Sequence, residues 1–191
     1  MCIKKLLNLL FLLVFNTAVA QQPYIIRIAD NGKRAEVVNG KDSTVIRIID
    51  HIDTMWTSGI VSSDGKIAIL QNDFGRWLEV FDFSAKEGGQ YCVLHAGVDP
   101  KFSIIDPVSE QKHTIMVHNR KIFALGSYGL SRYGLLLWDL DHLVKRSACL
   151  PNKILAKAKY GDSLVKVSSR NVYIRTQGWF KPYVYKIAIS A

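Results

Sequence analysis

The sequence predicts an all-β fold made of repeated antiparallel units, and two observations support this prediction. A pattern of three β-rich runs in residues 60–83 returns in residues 115–140 and, more loosely, in residues 164–189. The runs are short, rich in β-branched and aromatic residues, and separated by turn residues about every 8–12 positions, whereas long 3.6-residue periodicity is almost absent. The middle runs of the three copies begin about 50 to 55 residues apart, at Lys66, Lys121 and Asn171.

Residues 1–20 have the composition of a secretory signal and are set aside from the fold prediction. Lys4 and Lys5 give a basic start, residues 3–15 an apolar centre, and Ala18-Val19-Ala20 a small-residue cleavage signature. An apolar stretch of about 13 residues is shorter than the roughly 20 that a membrane-spanning helix needs. We therefore expect an exported protein, periplasmic or extracellular, whose residues 21–191 form a single domain.

The positive charge of the chain is concentrated near its C-terminus. Residues 141–191 hold 10 Lys and Arg against 2 Asp and Glu. This basic quarter is suited to an anionic surface of lipid headgroups or acidic glycans. The alternative is an exposed charged edge that discourages strand-to-strand aggregation. Export argues against nucleic acid as a partner.

Cysteine is sparse in residues 21–191, which hold only Cys92 and Cys149. A disulfide scaffold is therefore excluded as the basis of the fold. In the repeat alignment the two cysteines occupy equivalent places in neighbouring units. Such places are normally farther apart than the roughly 7 Å between Cα atoms that a disulfide tolerates. Two free thiols are expected.

The strands ahead of the first full copy are predicted from turn chemistry. Tyr24–Ile28 and Ala35–Val38 flank Asp30-Asn31-Gly32, and Asn-Gly readily supplies the positive φ that hairpins need. This pair matches the outer half of a unit.

The repeat copies then supply four, four and three predicted strands. With the N-terminal strand pair counted as a partial first unit, the second unit comprises Ile60–Ser62, Lys66–Gln71, Leu78–Phe83 and Gln90–Leu94. The third comprises Thr114–His118, Lys121–Leu125, Leu135–Leu140 and Ser147–Leu150. The fourth comprises Leu164–Ser168, Asn171–Thr176 and Tyr183–Ile189. Extended pieces without an assigned place in a four-stranded unit recur at Thr44–Ile49, Phe102–Asp106 and Lys153–Lys157.

The repeated pattern Asp-Gly-Lys-apolar, glycine loop, apolar-Phe-Asp resembles the blades of secreted β-propellers of the NHL, TolB-like and six-bladed type. The resemblance covers residues 24–189. It implies four-stranded antiparallel blades whose innermost strands line a central channel. The chain offers about three units where a closed ring needs at least four. We therefore expect an open or incomplete ring, either as a truncated relative of a larger propeller or completed by a second copy in a homodimer.

The repeat brings three glycine-containing loops into correspondence, at residues 72–77, 126–134 and 176–182. We expect equivalent loops to leave the same end of the molecule and to carry one recognition face for a glycan, a peptide or an anionic polymer. The alternative is that the aromatic residues are wedged between blades while the basic residues are solvated. The predicted binding residues are Arg76, Trp77, Tyr128, Arg132, Tyr133, Trp179, Phe180 and Lys181.

Catalytic signals are weak. His51 and Asp53 could form a metal pair, but no third ligand stands at a recognisable spacing. Carboxylates at the ends of third strands, Asp82 and Asp139, are more simply explained as turn-entry residues. We therefore predict a non-enzymatic binding module with no catalytic residues, no metal and no cofactor. The alternative function is a propeller-type hydrolase or lyase that acts on polysaccharide.

Overall fold

A computed structural model describes residues 23–50, 55–72, 78–84, 89–94, 114–129, 132–142 and 148–189. The predicted leader, the His51 and Asp53 pair, and the predicted binding residues Arg76 and Trp77 lie outside these ranges. Within them the chain is all-β: fifteen strands and one short 3₁₀ turn are present, without an α-helix. The described residues contain no helix long and apolar enough to cross a bilayer.

The strands form four small, open sheets that are antiparallel except at one short bridge. Sheet I contains β1 (Tyr24–Ala29), β2 (Arg34–Asn39) and β3 (Val45–Asp50). Sheet II contains β4 (Trp56–Val61), β5 (Ile67–Asn72), β6 (Leu78–Asp82) and β7 (Gly89–Leu94). Sheet III contains β8 (Ile115–His118), β9 (Lys121–Gly129) and β10 (Arg132–Asp139). After β11 (Ala148–Cys149), which pairs in parallel with β7, sheet III is completed by β12 (Lys153–Lys157). Sheet IV contains β13 (Ser163–Val167), β14 (Asn171–Thr176) and β15 (Tyr183–Ala188).

The four sheets stack face to face in chain order, because their strands are apolar on both faces where two neighbours cover them. On β5, Ile67 and Ile69 belong to the core shared with sheet III, whereas Ala68 and Leu70 belong to the core shared with sheet I. This alternation follows the two-residue period of a strand. Sheet III repeats it: one set of buried residues faces sheet II and the other faces sheet IV. Three buried cores therefore hold the stack together.

Two hairpin turns contain consecutive residues with positive φ. Asn31 and Gly32 have φ of 54° and 87°, which confirms the predicted Asn-Gly turn after β1. Asn119 and Arg120 form a two-residue connection between β8 and β9 with φ of 47° and 57°. Two consecutive positive φ values are typical of a type I′ hairpin, whose twist matches that of the strands.

The carboxylates at the ends of the third strands act as turn residues, as predicted. Asp82 Oδ1 accepts a hydrogen bond of 2.9 Å from the backbone N–H of Ser84. Asp139 Oδ1 accepts one of 3.2 Å from the backbone N–H of Asp141. In both cases the carboxylate accepts from the backbone N–H two residues further along the chain. This is the geometry of an Asx-turn, which leads a chain out of a strand.

Two outer-strand assignments from the repeat pattern were wrong or incomplete. Thr44–Ile49 and Lys153–Lys157, which had no assigned place, correspond to β3 and β12, the outer strands of sheets I and III. The described part of Ser147–Leu150 does not form the outer strand of sheet III but joins sheet II as β11. Asn152 favours β12 rather than residues 147–150 as the outer strand beside β10. Its Oδ1 accepts a 2.6 Å hydrogen bond from Asp139 N–H, and its own N–H donates a 2.8 Å hydrogen bond to Leu137 O.

The reasoning on the cysteines also needs correction. Because β11 pairs with β7, the two cysteines lie on adjacent strands of one sheet, with Cys149 opposite Leu94 and so two residues in register from Cys92. The premise that separate sheets hold them apart is therefore wrong. Two free thiols remain a prediction, which thiol titration of the denatured protein without reductant measures directly.

Candidate ligand-binding site

A cleft of about 720 Å³ opens where one end of sheet III meets the loop that leads into sheet IV. The ends of β9 and β12 and the start of β10 converge there, since Gly134 on β10 pairs with Lys157 on β12. We call it the tyrosine cleft. Its described lining consists of Tyr128, Arg132, Tyr133, Lys157, Ala158, Lys159 and Tyr160.

Tyr128 reaches the cleft because β10 has a glycine beside it. A Cβ on residue 134 would lie 2.8 Å from Tyr128 Cε1 and 2.5 Å from Ala156 O, both closer than real side-chain carbons approach. Only a residue without a side chain lets the phenol ring lie against the strand at this point. Gly134 therefore helps to set the position of one cleft wall.

Tyr133 lines the cleft and is half-buried against the core between sheets III and IV. Its hydroxyl donates a 3.3 Å hydrogen bond to Leu125 O, and its ring meets Tyr160 edge to face with centroids 6.1 Å apart. Burial, together with the nearby charge of Asp162, raises the pKa of Tyr133 above its ordinary value. This phenol is therefore neutral and a hydrogen-bond donor at physiological pH.

Tyr160 is presented to solvent by a turn that a buried carboxylate closes. Asp162 Oδ2 accepts a 2.8 Å bond from Lys159 N–H, and the backbone N–H of Asp162 donates 3.0 Å to Lys159 O. Tyr185 of sheet IV donates to the same carboxylate oxygen at 3.2 Å, and burial beside this charge raises the pKa of Tyr185 to about 12. The side chain of Asp162 is thus engaged in holding the turn, while Tyr160 remains 87% exposed.

Three basic residues line the cleft together with the phenol rings. Arg132, Lys157 and Lys159 have exposed side chains and line the same cleft, while its described lining contains no carboxylate. Cations beside aromatic faces attract anionic groups and leave the rings available for stacking. The chemistry of the cleft therefore favours a ligand that carries negative charge and a flat apolar or sugar-like face.

The structure brings three of the eight predicted binding residues together, namely Tyr128, Arg132 and Tyr133. Trp179, Phe180 and Lys181 are exposed on the β14–β15 hairpin and do not line the cleft. The alternative that aromatics pack between sheets holds in part, because Tyr128 and Tyr133 also contact the buried cores.

Sequence reasoning missed Tyr160, and it assigned Lys157 and Lys159 to the basic C-terminal quarter rather than to a site shared with Tyr128, Arg132 and Tyr133. Lys157, Lys159 and Tyr160 lie at the end of β12 and just after it, and the sequence of β12 had no assigned place in the repeat, so no equivalent loop existed for comparison. The local signal was nevertheless present, because Lys157-Ala158-Lys159-Tyr160 combines two cations and an aromatic ring at the end of a β-rich run.

Among the described residues, no group of three or more His, Cys, Asp or Glu could hold a metal ion. Comparison with known proteins found no matching family model and no matching curated relative.

Proposed function

We propose that this protein is an exported, β-propeller-like binding module that takes an anionic glycan segment in the tyrosine cleft. The observation that carries the proposal is the lining itself: three tyrosines and three basic residues around about 720 Å³, a volume within the usual range for ligand sites. Pyranose rings present C–H faces that stack on aromatic rings, and their carboxylate or sulfate groups pair with Arg and Lys.

Two features support a propeller-like arrangement. Sheets II and III each contain a four-stranded antiparallel meander in which the strands follow chain order, apart from the short β11 segment. Neighbouring sheets pack face to face through three buried cores, as blades do. Export rests on the leader-like residues 1–20.

A binding role fits the lining better than hydrolysis does. Glycoside hydrolysis generally needs two carboxylates on opposite sides of the scissile bond. The carboxylate nearest in sequence to the cleft residues, Asp162, already accepts hydrogen bonds from Tyr185 and from Lys159 N–H. The cations and phenol rings of the cleft instead provide positive charge and ring faces, which suit the holding of an anionic chain.

Calorimetric titration with an acidic oligosaccharide tests the proposal. The ligands are oligogalacturonate and the same oligosaccharide with its carboxyl groups reduced to alcohols, so that only the charge differs. We expect the acidic form to bind and the reduced form to bind at least about tenfold more weakly, a difference of 1.4 kcal/mol. Affinity should also fall as salt concentration rises.

Matched variants test whether the oligosaccharide binds in the tyrosine cleft. Tyr160→Ala should weaken binding about threefold to tenfold, the range expected for one lost aromatic contact, with unchanged stability because the ring is 87% exposed. Lys157→Ala should lower affinity for the acidic ligand only, whereas Lys41→Ala, an exposed lysine on the β2–β3 turn, serves as the control. Equal binding of both oligosaccharides, with no effect of either cleft variant, would contradict the proposal. Shortening of the oligosaccharide during the titration would favour the hydrolase or lyase alternative.

Association of two copies also remains a proposal. Sheets I and IV stand at the two ends of the described stack and carry exposed apolar residues, among them Ile48 and Val184. A second copy could cover these residues, just as neighbouring sheets cover both faces of sheets II and III. Light scattering on residues 21–191 should then show a dimer, and a stable monomer at high concentration would refute it.

A further inference from the structure

A second exposed surface, independent of the cleft, lies at the tip of the β14–β15 hairpin. Trp179 and Phe180 stand side by side there and are 99% and 102% exposed. The indoles of Trp56 and Trp138, in contrast, belong to fully buried side chains of the cores. Two adjacent large aromatic side chains wholly in water are unusual for a soluble surface and indicate an interaction site.

The tip is a compact loop that projects the two rings. A Cβ on residue 178 would lie 2.5 Å from Lys181 O and 3.3 Å from Tyr183 Cδ1, so the two sides of the loop pass close to each other at Gly178. Just below, Thr176 pairs with Tyr183 and continues the hairpin ladder. The loop therefore presents Trp179 and Phe180 on a convex apex that no described element covers.

We propose that this tip inserts Trp179 and Phe180 into the headgroup region of an anionic lipid bilayer. Indole and phenyl rings favour the membrane interface, where apolar surface leaves water and the indole N–H stays near polar groups. Exposed cations stand beside them, Lys181 in the loop and Arg175 near the end of β14. Such cations are attracted to anionic headgroups, by about fivefold in affinity for each residue near the surface.

The shape of the tip distinguishes a bilayer from a small ligand or a sugar. Sites for small molecules are concave, and the tyrosine cleft is a concave site that is partly open to solvent. The hairpin tip is convex and has no opposing wall among the described residues, so it suits a broad, deformable surface into which side chains insert. This inference does not rest on the glycan proposal, because it concerns different residues and a test without glycan.

The hairpin tip and the cleft nevertheless open at the same end of sheet IV. Ser163 at the start of β13 pairs with Arg175 near the end of β14, so the Lys159–Asp162 turn and the hairpin tip leave the sheet together. A molecule held on a bilayer by the tip would therefore have its cleft close to the lipid surface.

Vesicle co-sedimentation tests the inference. The protein comprising residues 21–191 is mixed with vesicles of phosphatidylcholine alone or with one-third phosphatidylglycerol. We expect binding to the anionic vesicles that Trp179→Ala with Phe180→Ala weakens by about tenfold or more, because the buried apolar area is lost. Lys181→Ala should weaken anionic binding about fivefold. The control is Leu150→Ala with Ile154→Ala, which truncates two other exposed apolar side chains outside the tip and should leave binding unchanged.

Fluorescence reports whether the indole enters the lipid. Phosphatidylcholine brominated on its acyl chains, mixed with phosphatidylglycerol, should quench emission from the wild-type protein but much less from Trp179→Phe, since that variant lacks the tip indole. Absence of binding to anionic vesicles, equal binding of the tip and control variants, or quenching that persists in Trp179→Phe would overturn the inference. Retained solubility and cooperative unfolding of the tip variant would show that its loss of binding is not loss of fold.

Discussion

Arg120 should contribute a large share of the stability between sheets II and III. One nitrogen of its guanidinium lies 2.9 Å from Asp82 Oδ2 and donates a 2.6 Å bond to Ser84 Oγ, both at the end of sheet II. Its Nε lies 2.6 Å from Asp141 Oδ1, just beyond β10 in sheet III. The side chain of Asp82 is only 7% exposed, whereas that of Asp141 is 56% exposed. Most of the energy should therefore come from Asp82.

The expected cost of Arg120→Ala follows from these exposures. Removing one partner of a buried pair costs about 3–5 kcal/mol, and an exposed pair contributes about 0–1 kcal/mol. Because Asp82 is nearly buried but Arg120 is one-third exposed, we expect about 2–3 kcal/mol in total. Residue 120 has φ of 57°, and both arginine and alanine carry a Cβ there, so the backbone strain is similar in the wild type and in Arg120→Ala. The difference in their free energy of unfolding therefore reports the loss of the guanidinium.

Urea denaturation measures this difference, and a double-mutant cycle apportions it. The coupling of Arg120 with Asp82, taken from Asp82→Asn and the double variant, should be about 1–2 kcal/mol. The coupling with Asp141, taken from Asp141→Asn, should be about 0.5 kcal/mol or less. A cost of Arg120→Ala below about 0.5 kcal/mol, or a stronger coupling with Asp141 than with Asp82, would refute this reasoning.

Three further predictions concern the core, the cleft wall and acid stability. Trp138→Ala, at a fully buried indole between sheets II and III, should lower the free energy of unfolding by about 3–5 kcal/mol in urea titrations, and a loss below 1 kcal/mol would contradict the stacked core. Gly134→Ala should cost about 1–3 kcal/mol, since its Cβ would lie 2.5 Å from Ala156 O, and calorimetry should show weaker oligogalacturonate binding; an unchanged protein would contradict the close approach. Burial raises the pKa of Asp82, but hydrogen bonds from Ser84 and Arg120 outweigh it, so the pKa lies below its ordinary value. The stabilisation by Asp82 is thus present above pH about 4 and is lost as the pH falls through the lowered pKa. In Asp82→Asn the free energy of unfolding should therefore fall less steeply at acid pH than in the wild type. The same steepness in both proteins would contradict a lowered pKa of Asp82.

Much of the strand pattern could be predicted from the sequence because local chemistry determines it. Asn31-Gly32 adopts the positive φ values that its turn requires, and β14 begins and ends where the apolar pattern places it. The outer strands could not be predicted with the same certainty. Two extended segments, residues 147–150 and 153–157, follow β10 in the sequence. Which of them pairs with β10 depends on the hydrogen bonds of Asn152 with β10 rather than on any periodicity.

The candidate site was predicted in part for a related reason. Comparison of loops between repeat copies identified Tyr128, Arg132 and Tyr133, because those residues belong to a loop that each copy contains. It placed Trp179 and Phe180 in the same site, although the structure has them at the tip of a separate hairpin. Sequence equivalence shows that loops leave the same end of their sheets, but it does not measure how far they extend or whether their side chains meet.

Hydrogen–deuterium exchange of the protein with and without oligogalacturonate tests the central proposal most directly, because it locates the ligand on the chain. The tyrosine cleft predicts slower exchange in two segments, residues 126–134 and 156–162, with little change in β1 and β2 on sheet I. The reduced, uncharged oligosaccharide should leave both segments unchanged. Protection confined to other strands, or equal protection by the acidic and the reduced ligands, would contradict the assignment of an anionic glycan to this cleft.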